Sequence, residues 1–364
     1  MTSVDLYLPA FAGGGAERVF VRLANHYSAT DLRTRLVVNV NVGPLKDLVS
    51  DQVELIDLKA TRTRDAIPKL ARYMAREKPE AMISALTFNN LSAIIARTLS
   101  RSDTRLVVSE RNHLSSDMAR WSPVRRAVVK RLVRTGYRRV DAITAVTAGV
   151  AEDLAEVVGI PAGSIHVIQN PTPAIEEIEA ARLAPAPHPW LEDGRPVVVA
   201  IGRLETQKDY PLLLDALAEA RRTIGDLHLI VLGEGSLLAE LEAKASANGL
   251  SSVVSFQGFV MNRLDYLVRA SLFVLSSVRE GFPNALVEAV ACGVPVVSTD
   301  SAGGGAREIL ADGMNEALVP VGDVEMLAAA MVAQLQSPPE AGRLAAIAGR
   351  YSLERTAERF RSLI

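Results

Sequence analysis

Arg203 and Lys208 stand five positions apart in Gly202-Arg203-Leu204-Glu205-Thr206-Gln207-Lys208-Asp209. An arginine forks two phosphate oxygens and a lysine adds a point charge, so this pair suits a diphosphate. A second group follows in Arg279-Glu280-Gly281-Phe282-Pro283-Asn284-Ala285-Leu286-Val287-Glu288, where two glutamates are separated by seven residues. Glu288 falls inside the apolar run Ala285–Ala291, and a carboxylate there needs hydrogen-bond donors to offset its desolvation. Ribose or sugar hydroxyls would serve; a partly exposed helix glutamate is the plainer alternative. Gly13-Gly14-Gly15 and Gly303-Gly304-Gly305 each precede a helical pattern, where a backbone without side chains and a positive helix end accommodate an anion. Taken alone, the first of these loops is equally well a plain turn. Neither GxGxxG nor GxxxxGK[ST] occurs in it, and Leu232-Gly233-Glu234-Gly235 is broken by Ser236 and Leu237. Phe259, in Gly258-Phe259-Val260, is placed to cover a base edge or to pack as an ordinary aromatic.

What these residues exclude is as useful. The chain has no Asp-x-Asp, so no carboxylate pair is offered to Mg²⁺ or Mn²⁺ at a diphosphate. Charge neutralisation by Arg203, Lys208 and helix ends is the consistent alternative, with no metal and no cofactor expected. The histidines (His26, His113, His166, His188, His228) lack paired spacing, and a lone Cys292 rules out a disulfide scaffold and a thiolate cluster.

Elements that place such loops can be read from periodicity. Strand patterns occur at Val4–Leu8, Arg35–Val40, Glu54–Leu58, Ala81–Ser84, Arg105–Ser109, Ala142–Val146 and His166–Ile168. They resume at Pro196–Ile201, Leu227–Leu232, Val253–Phe256, Leu272–Leu275, Val294–Ser298 and Ala317–Val319. Amphipathic stretches fill the gaps, which predicts βαβ units and parallel sheets. The proline-dense stretch from Asn170-Pro171-Thr172-Pro173 to Pro185-Ala186-Pro187-His188-Pro189 can neither pair nor stay helical, and reads as a linker. The expected fold is α/β with two doubly wound Rossmann-like domains facing a central cleft: residues 1–170, a linker at 171–195, then 196–350. In such sheets, ligands bind beyond the carboxyl ends of the strands.

With 364 residues, 49% hydrophobic and 23% charged, the chain has ample material for two cores. The net charge of −2 is unevenly placed. Residues 1–170 hold 24 Lys/Arg against 17 Asp/Glu, and residues 171–364 hold 16 against 25. Two domains with different partners are expected, with drift in solvated surface composition as the alternative. The start, Met1-Thr2-Ser3-Val4-Asp5, lacks a basic n-region, and no uncharged apolar run approaches the ~20 residues of a membrane span. A cytoplasmic protein is expected.

Together these residues resemble those of retaining glycosyltransferases with the GT-B fold, a large family that includes bacterial cell-surface polysaccharide and lipid-linked-oligosaccharide transferases. The resemblance covers essentially the full length. It rests on Gly13-Gly14-Gly15-Ala16-Glu17, on Gly202-Arg203-Leu204 with Gln207-Lys208-Asp209, on the x7-spaced Glu280 and Glu288 with Gly281-Phe282-Pro283, and on Cys292-Gly293-Val294-Pro295 before Gly303-Gly304. It implies that Arg203 and Lys208 bind the donor diphosphate, that Glu280 meets donor-sugar hydroxyls and that Glu288 binds the ribose. It also implies that Gly281, Phe282, Pro283 and Asn284 lie on the donor side, that Gly13, Gly14 and Gly15 sit across the cleft, and that the terminal helix (351–364) packs back on the first domain. Many relatives carry a histidine at the end of the strand matching Arg105–Ser109, where this chain reads Val108-Ser109-Glu110-Arg111-Asn112-His113; either Glu110 replaces it or His113 reaches in. The family analogy suggests front-face transfer, in which the leaving phosphate takes the acceptor proton.

One segment points to a partner. Asp117–Arg139 carries eight Arg/Lys against one acid, with Val124, Val128, Val129, Leu132 and Val133 on one half of a helical wheel. A basic amphipathic helix at 124–139 suits an anionic membrane surface and a lipid-linked acceptor; a solvated back on an ordinary core helix is the alternative. Nucleic acid is disfavoured, because aromatics are 5% of the chain. The expected function is transfer of a sugar from a nucleotide-sugar, UDP-sugar favoured and GDP-sugar allowed, to a saccharide or lipid-linked acceptor at the inner face of the membrane. A sugar-nucleotide epimerase on the same fold and a non-catalytic nucleotide-sugar-binding protein are the alternatives.

Overall fold

The computed structural model describes residues 3–364. It divides into two compact units, one built from the chain up to Pro171 together with Leu353–Ile364, the other from Thr172–Ser352. Among the described residues no helix is long and apolar enough to cross a membrane.

The first unit holds strands β1 (Ser3–Leu8), β2 (Arg33–Val38), β3 (Glu54–Asp57), β4 (Ala81–Ala85), β5 (Arg105–Glu110), β6 (Ala142–Ala145) and β7 (His166–Val167). Among the described residues they form one parallel sheet in the order β3-β2-β1-β4-β5-β6-β7. Helices α1 (Gly15–Ser28), α2 (Thr63–Glu77), α3 (Thr87–Ser100), α4 (Leu114–Met118), α5 (Pro123–Gly136) and α6 (Ala148–Val158) connect them. Adjacent residues such as Leu6 and Tyr7, or Val107 and Val108, are both fully buried. That is what helices on both faces of a parallel sheet require, and why its strands read as continuous apolar runs. Strand β2 starts and stops two residues earlier than its apolar pattern suggests. Asn39 leaves the ladder and its Oδ1 accepts the Tyr7 hydroxyl at 2.5 Å.

The second unit opens with α7 (Ile175–Leu183), followed by strands β8 (Val197–Ile201), β9 (His228–Leu232), β10 (Val254–Phe256), β11 (Leu272–Leu275), β12 (Val296–Thr299) and β13 (Leu318–Val319). The parallel order is β10-β9-β8-β11-β12-β13. Its helices are α8 (Tyr210–Ala220), α9 (Leu238–Ala247), α10 (Arg263–Leu267), α11 (Asn284–Ala291), α12 (Gly305–Leu310), α13 (Val324–Gln336) and α14 (Ala341–Ala348). The last helix, α15 (Leu353–Arg361), belongs to the first unit.

Of the stretch expected to be a linker, 171–195, Pro171 groups with the first unit and the residues from Thr172 onward group with the second. The Arg269 guanidinium donates to the carbonyls of Ala181, Arg182 and Ala184, at 2.9 Å to the first. Proline ends this helix, but an arginine from elsewhere satisfies the carbonyls that proline strands, so the segment packs.

Candidate functional site

In the second unit the chain runs outward from β8 to β9 and β10, then returns to place β11 on the other side of β8. The crevice at the carboxyl ends of β8 and β11 is the switch point of this sheet, where open α/β sheets bind ligands. Two sequence-predicted loops lie there, Gly202–Asp209 after β8 and Ser276–Pro283 after β11. They are stitched together: Val278 N–H donates to Gln207 O at 2.9 Å, Gln207 Nε2 to Arg279 O at 3.0 Å, and Ser276 Oγ to Lys208 O at 2.7 Å.

Their charged groups meet. Lys208 Nζ lies 2.5 Å from Glu280 Oε1, which also accepts the Ser277 hydroxyl at 2.7 Å. Glu280 is therefore held on its loop by a cation and a hydroxyl, both charge-compatible with an ionised carboxylate. Arg203 differs: its side chain is largely exposed, paired with Glu205 Oε1 at 3.3 Å. An exposed pair of this kind is weak and leaves the guanidinium available to an incoming anion.

Behind these loops the glycines do structural work. A Cβ on Gly303, whose φ is +98°, would overlap the Glu280 carbonyl, and one on Gly305 would overlap that of Gly281. The Gly303–Gly305 turn thus packs beneath the Glu280–Gly281 backbone, which the Glu280 N–H to Ala302 O bond at 2.9 Å reinforces. Gly304 between them has open space around it. Phe282 is interior, its ring edge-on to Tyr351 at 5.3 Å. Pro283 caps α11, Asn284 opens it, and Glu288 one turn on is buried with Oε1 2.5 Å from Arg263 Nη2. Phe259 is exposed on the loop after β10, its N–H donating to Glu234 Oε1 at 3.4 Å.

In the first unit the switch point lies between β1 and β4. The Gly13–Gly15 loop follows β1, with Gly13 at φ +87° and Gly14 capping α1. The Glu17 carboxylate folds against Gly14, so this helix start already has an anion of its own in its first turn. The loop after β4 puts Leu86 at φ +76°, a conformation a branched side chain adopts only under surrounding constraint.

The two alternatives at the end of β5 are separated by environment. Glu110 is fully buried; its carboxylate accepts Thr87 Oγ1 at 3.0 and 3.1 Å and the Tyr137 hydroxyl at 3.0 Å. Burial raises its carboxyl to about 7, against the opposing pull of the Thr87, Tyr137 and Arg111 N–H bonds. In this arrangement the Glu110 oxygens are engaged by neighbouring hydroxyls, of which Thr87 is half-buried. His113 caps α4 and keeps part of its surface open. Its Nδ1 lies 3.0 Å from Ser116 Oγ and 3.5 Å from Asp153 Oδ1. Orientation by a carboxylate suits a histidine that offers Nε2 to a substrate.

The sequence reading missed Ser277, Arg263, Thr87, Tyr137 and Asp153. Ser277 lies two residues beyond β11 and is discoverable by position; the other four are brought in by tertiary contact alone.

Comparison with known proteins agrees with this layout. The model of the "Glycosyl transferase 4-like domain" matches residues 14–171, and that of "Glycosyl transferases group 1" matches 195–337. The chain belongs to the GT-B glycosyltransferases. Among its relatives, the N-acetylgalactosamine-N,N'-diacetylbacillosaminyl-diphospho-undecaprenol 4-alpha-N-acetylgalactosaminyltransferase of Campylobacter jejuni is 33% identical over 61% of the chain. That match spans 58% of the Campylobacter protein, less than two thirds of its length. The lipopolysaccharide core biosynthesis glycosyltransferase LpsE of Rhizobium meliloti is 27% identical over 87% of the chain and 84% of its own. The structure of Anabaena HepE in complex with UDP-glucose superposes with a TM-score of 0.80 at 20% identity, covering 100% of this chain and 99% of that one.

Proposed function

We propose that this glycosyltransferase moves a hexose from a nucleotide-sugar, a UDP-sugar by preference, to a saccharide or polyprenyl-linked acceptor in cell-surface glycan synthesis, with retention and without a metal. The observation that carries the reading is the Lys208–Glu280 contact at the switch point, flanked by exposed Arg203 and by Glu288 on the helix behind. Lys208 and Arg203 would offset charge on the departing diphosphate, Glu280 would hold the sugar and Glu288 the ribose. The UDP-glucose held by the Anabaena protein favours a UDP-sugar, and the undecaprenol-linked substrate in the Campylobacter enzyme's name favours a lipid-linked acceptor. In front-face transfer the C1–O bond to phosphate breaks, the acceptor oxygen bonds C1 on the same face, and the leaving phosphate takes its proton. Incubation with nucleotide-sugars and lipid extracts tests the reading. Sugar transferred to lipid is expected; isomerised sugar without an acceptor, or tight binding without product, overturns it.

Metal independence is checked separately. Turnover is expected to persist in EDTA; activity lost there and restored by Mn²⁺ refutes it.

Membrane association is the second part of the proposal. Of the apolar residues on α5 only Val129 and Val133 are buried, while Val124, Val128 and Leu132 are 75%, 52% and 41% exposed. Spaced by four, these three form one stripe, and Arg125 packs over Trp121 and Phe88 at 4.7 and 5.3 Å from the ring centroids. The helix ends at Gly136, and the turn Tyr137–Arg139 returns the chain to the core through buried Tyr137. Such a stripe enters a headgroup boundary while Arg126, Lys130, Arg131 and Arg134 meet lipid phosphates, each worth roughly 1 kcal/mol. The wild type is expected to sediment with anionic liposomes and to release as salt rises through ~0.5 M. Gln at those four positions should abolish sedimentation and leave nucleotide binding unchanged. A quadruple variant that still sediments removes this part of the reading.

A further inference from the structure

Glu288 is 1% exposed and Arg263 13% exposed, and their 2.5 Å contact joins α11 to the first residue of α10. A carboxylate taken this far out of water keeps its charge only when a partner repays the desolvation. A guanidinium bonded to one oxygen does this and also fixes the plane of the carboxylate. The two elements pack on each other. The loop that delivers Arg263 is also the one that carries exposed Phe259, tied back to Glu234. Nothing in the spacing of the glutamates calls for an arginine at 263.

We propose that Arg263 is a positioning residue for ribose recognition: it holds Glu288 ionised and oriented, so that the carboxylate accepts hydrogen bonds from the vicinal 2′ and 3′ hydroxyls of a nucleoside diphosphate. The proposal rests on the reading of Glu288 as the ribose-binding group. It makes this arginine part of the selection of ribonucleotides over nucleotides that lack the diol, because a fixed, buried acceptor left without its donors penalises the wrong ligand.

The test compares dissociation constants of UDP and 2′,3′-dideoxy-UDP for the full chain and its variants. The wild type is expected to favour UDP by about a hundredfold. Arg263→Ala should reduce that ratio below about tenfold and leave the affinity for dideoxy-UDP nearly unchanged, while Arg263→Lys, which keeps the charge, restores most of the ratio. A purely structural role would weaken both ligands together and leave the ratio intact. Either an unchanged ratio or a parallel loss of both ligands in Arg263→Ala overturns the proposal. Glu288→Gln separates the two layers. If Glu288→Gln keeps the wild-type ratio, the ribose role of Glu288 has failed; if it collapses the ratio and Arg263→Ala does not, only the role of Arg263 has failed. Should Arg263→Ala not fold, Arg263→Gln takes its place, with the same collapse expected.

Discussion

Lys208→Ala is expected to lower turnover at least about a hundredfold, equivalent to ~2.7 kcal/mol of transition-state stabilisation. Two effects add in that variant. The cation that would meet the departing diphosphate is gone, and its loss matters most as negative charge develops on the leaving group. Glu280 also loses the ammonium 2.5 Å away and keeps only the Ser277 hydroxyl on that oxygen, so its own charge turns against the diphosphate. Because the two side chains touch, their substitutions should not add. Glu280→Gln alone is expected to cut kcat more than nucleotide affinity, and Lys208→Ala with Glu280→Gln should cost less than the sum of the two. Arg203→Ala should match the kinetic loss without altering the stability of the free protein, since its side chain is exposed. Wild-type-like steady-state kinetics in Lys208→Ala, or strict additivity in the cycle, would contradict the assigned role.

The second large effect is one of stability against pH. Burial holds the Glu110 carboxyl at about 7, above its ordinary range, with Asp117 adding a smaller push in the same direction. A carboxyl raised in the folded state binds its proton more tightly there than in the unfolded chain. Its contribution is thus fully present below about pH 4.3, the ordinary glutamate value, and is lost as pH rises through about 7. Glu110→Gln removes the titration and retains groups able to meet Thr87 and Tyr137. Relative to this variant, the wild type should lose about 2 to 3 kcal/mol between pH 5 and 8, read from urea midpoints at each pH. Parallel pH profiles for the two proteins would show that the carboxyl does not titrate in this window.

Much of the fold is legible in the residues themselves. Runs such as Val197–Ile201 and Leu272–Leu275 are apolar on both faces because both faces are covered, and their β-branched residues and short length favour strand over helix. The loops Gly202–Asp209 and Ser276–Pro283 are legible as strand-end loops for a related reason: each is contiguous, so strand, turn and helix start appear in one stretch of sequence. Arg263 with Glu288, and Thr87 and Tyr137 with Glu110, are not. Each joins residues whose separation in the chain is set by topology, and no local period encodes it. The 171–195 stretch misled because proline density reports what a segment cannot do by itself, whereas Arg269 supplies the missing donors from 80 or more residues away. On α5 the wheel grouped five apolar residues correctly by angle, but angle alone does not say how wide the buried seam is. Two of the five fill it.

Helix α15 carries a consequence for how this protein is made. Phe360 is fully buried, its ring edge-on to Phe20 at 6.5 Å; the Tyr27 hydroxyl donates to Ala357 O at 2.7 Å, and Arg105 Nε donates to Leu363 O at 2.6 Å. The first unit is therefore incomplete until residues 353–364 have left the ribosome, after the whole of the second unit. During synthesis Phe20 and its neighbours on α1 wait without α15 over them while the second unit, Thr172–Ser352, is made, at a rate of roughly 5–20 residues per second. That interval, on the order of ten seconds or more, is when apolar surface meant for α15 is open to aggregation, and truncation inside α15 would make the wait permanent.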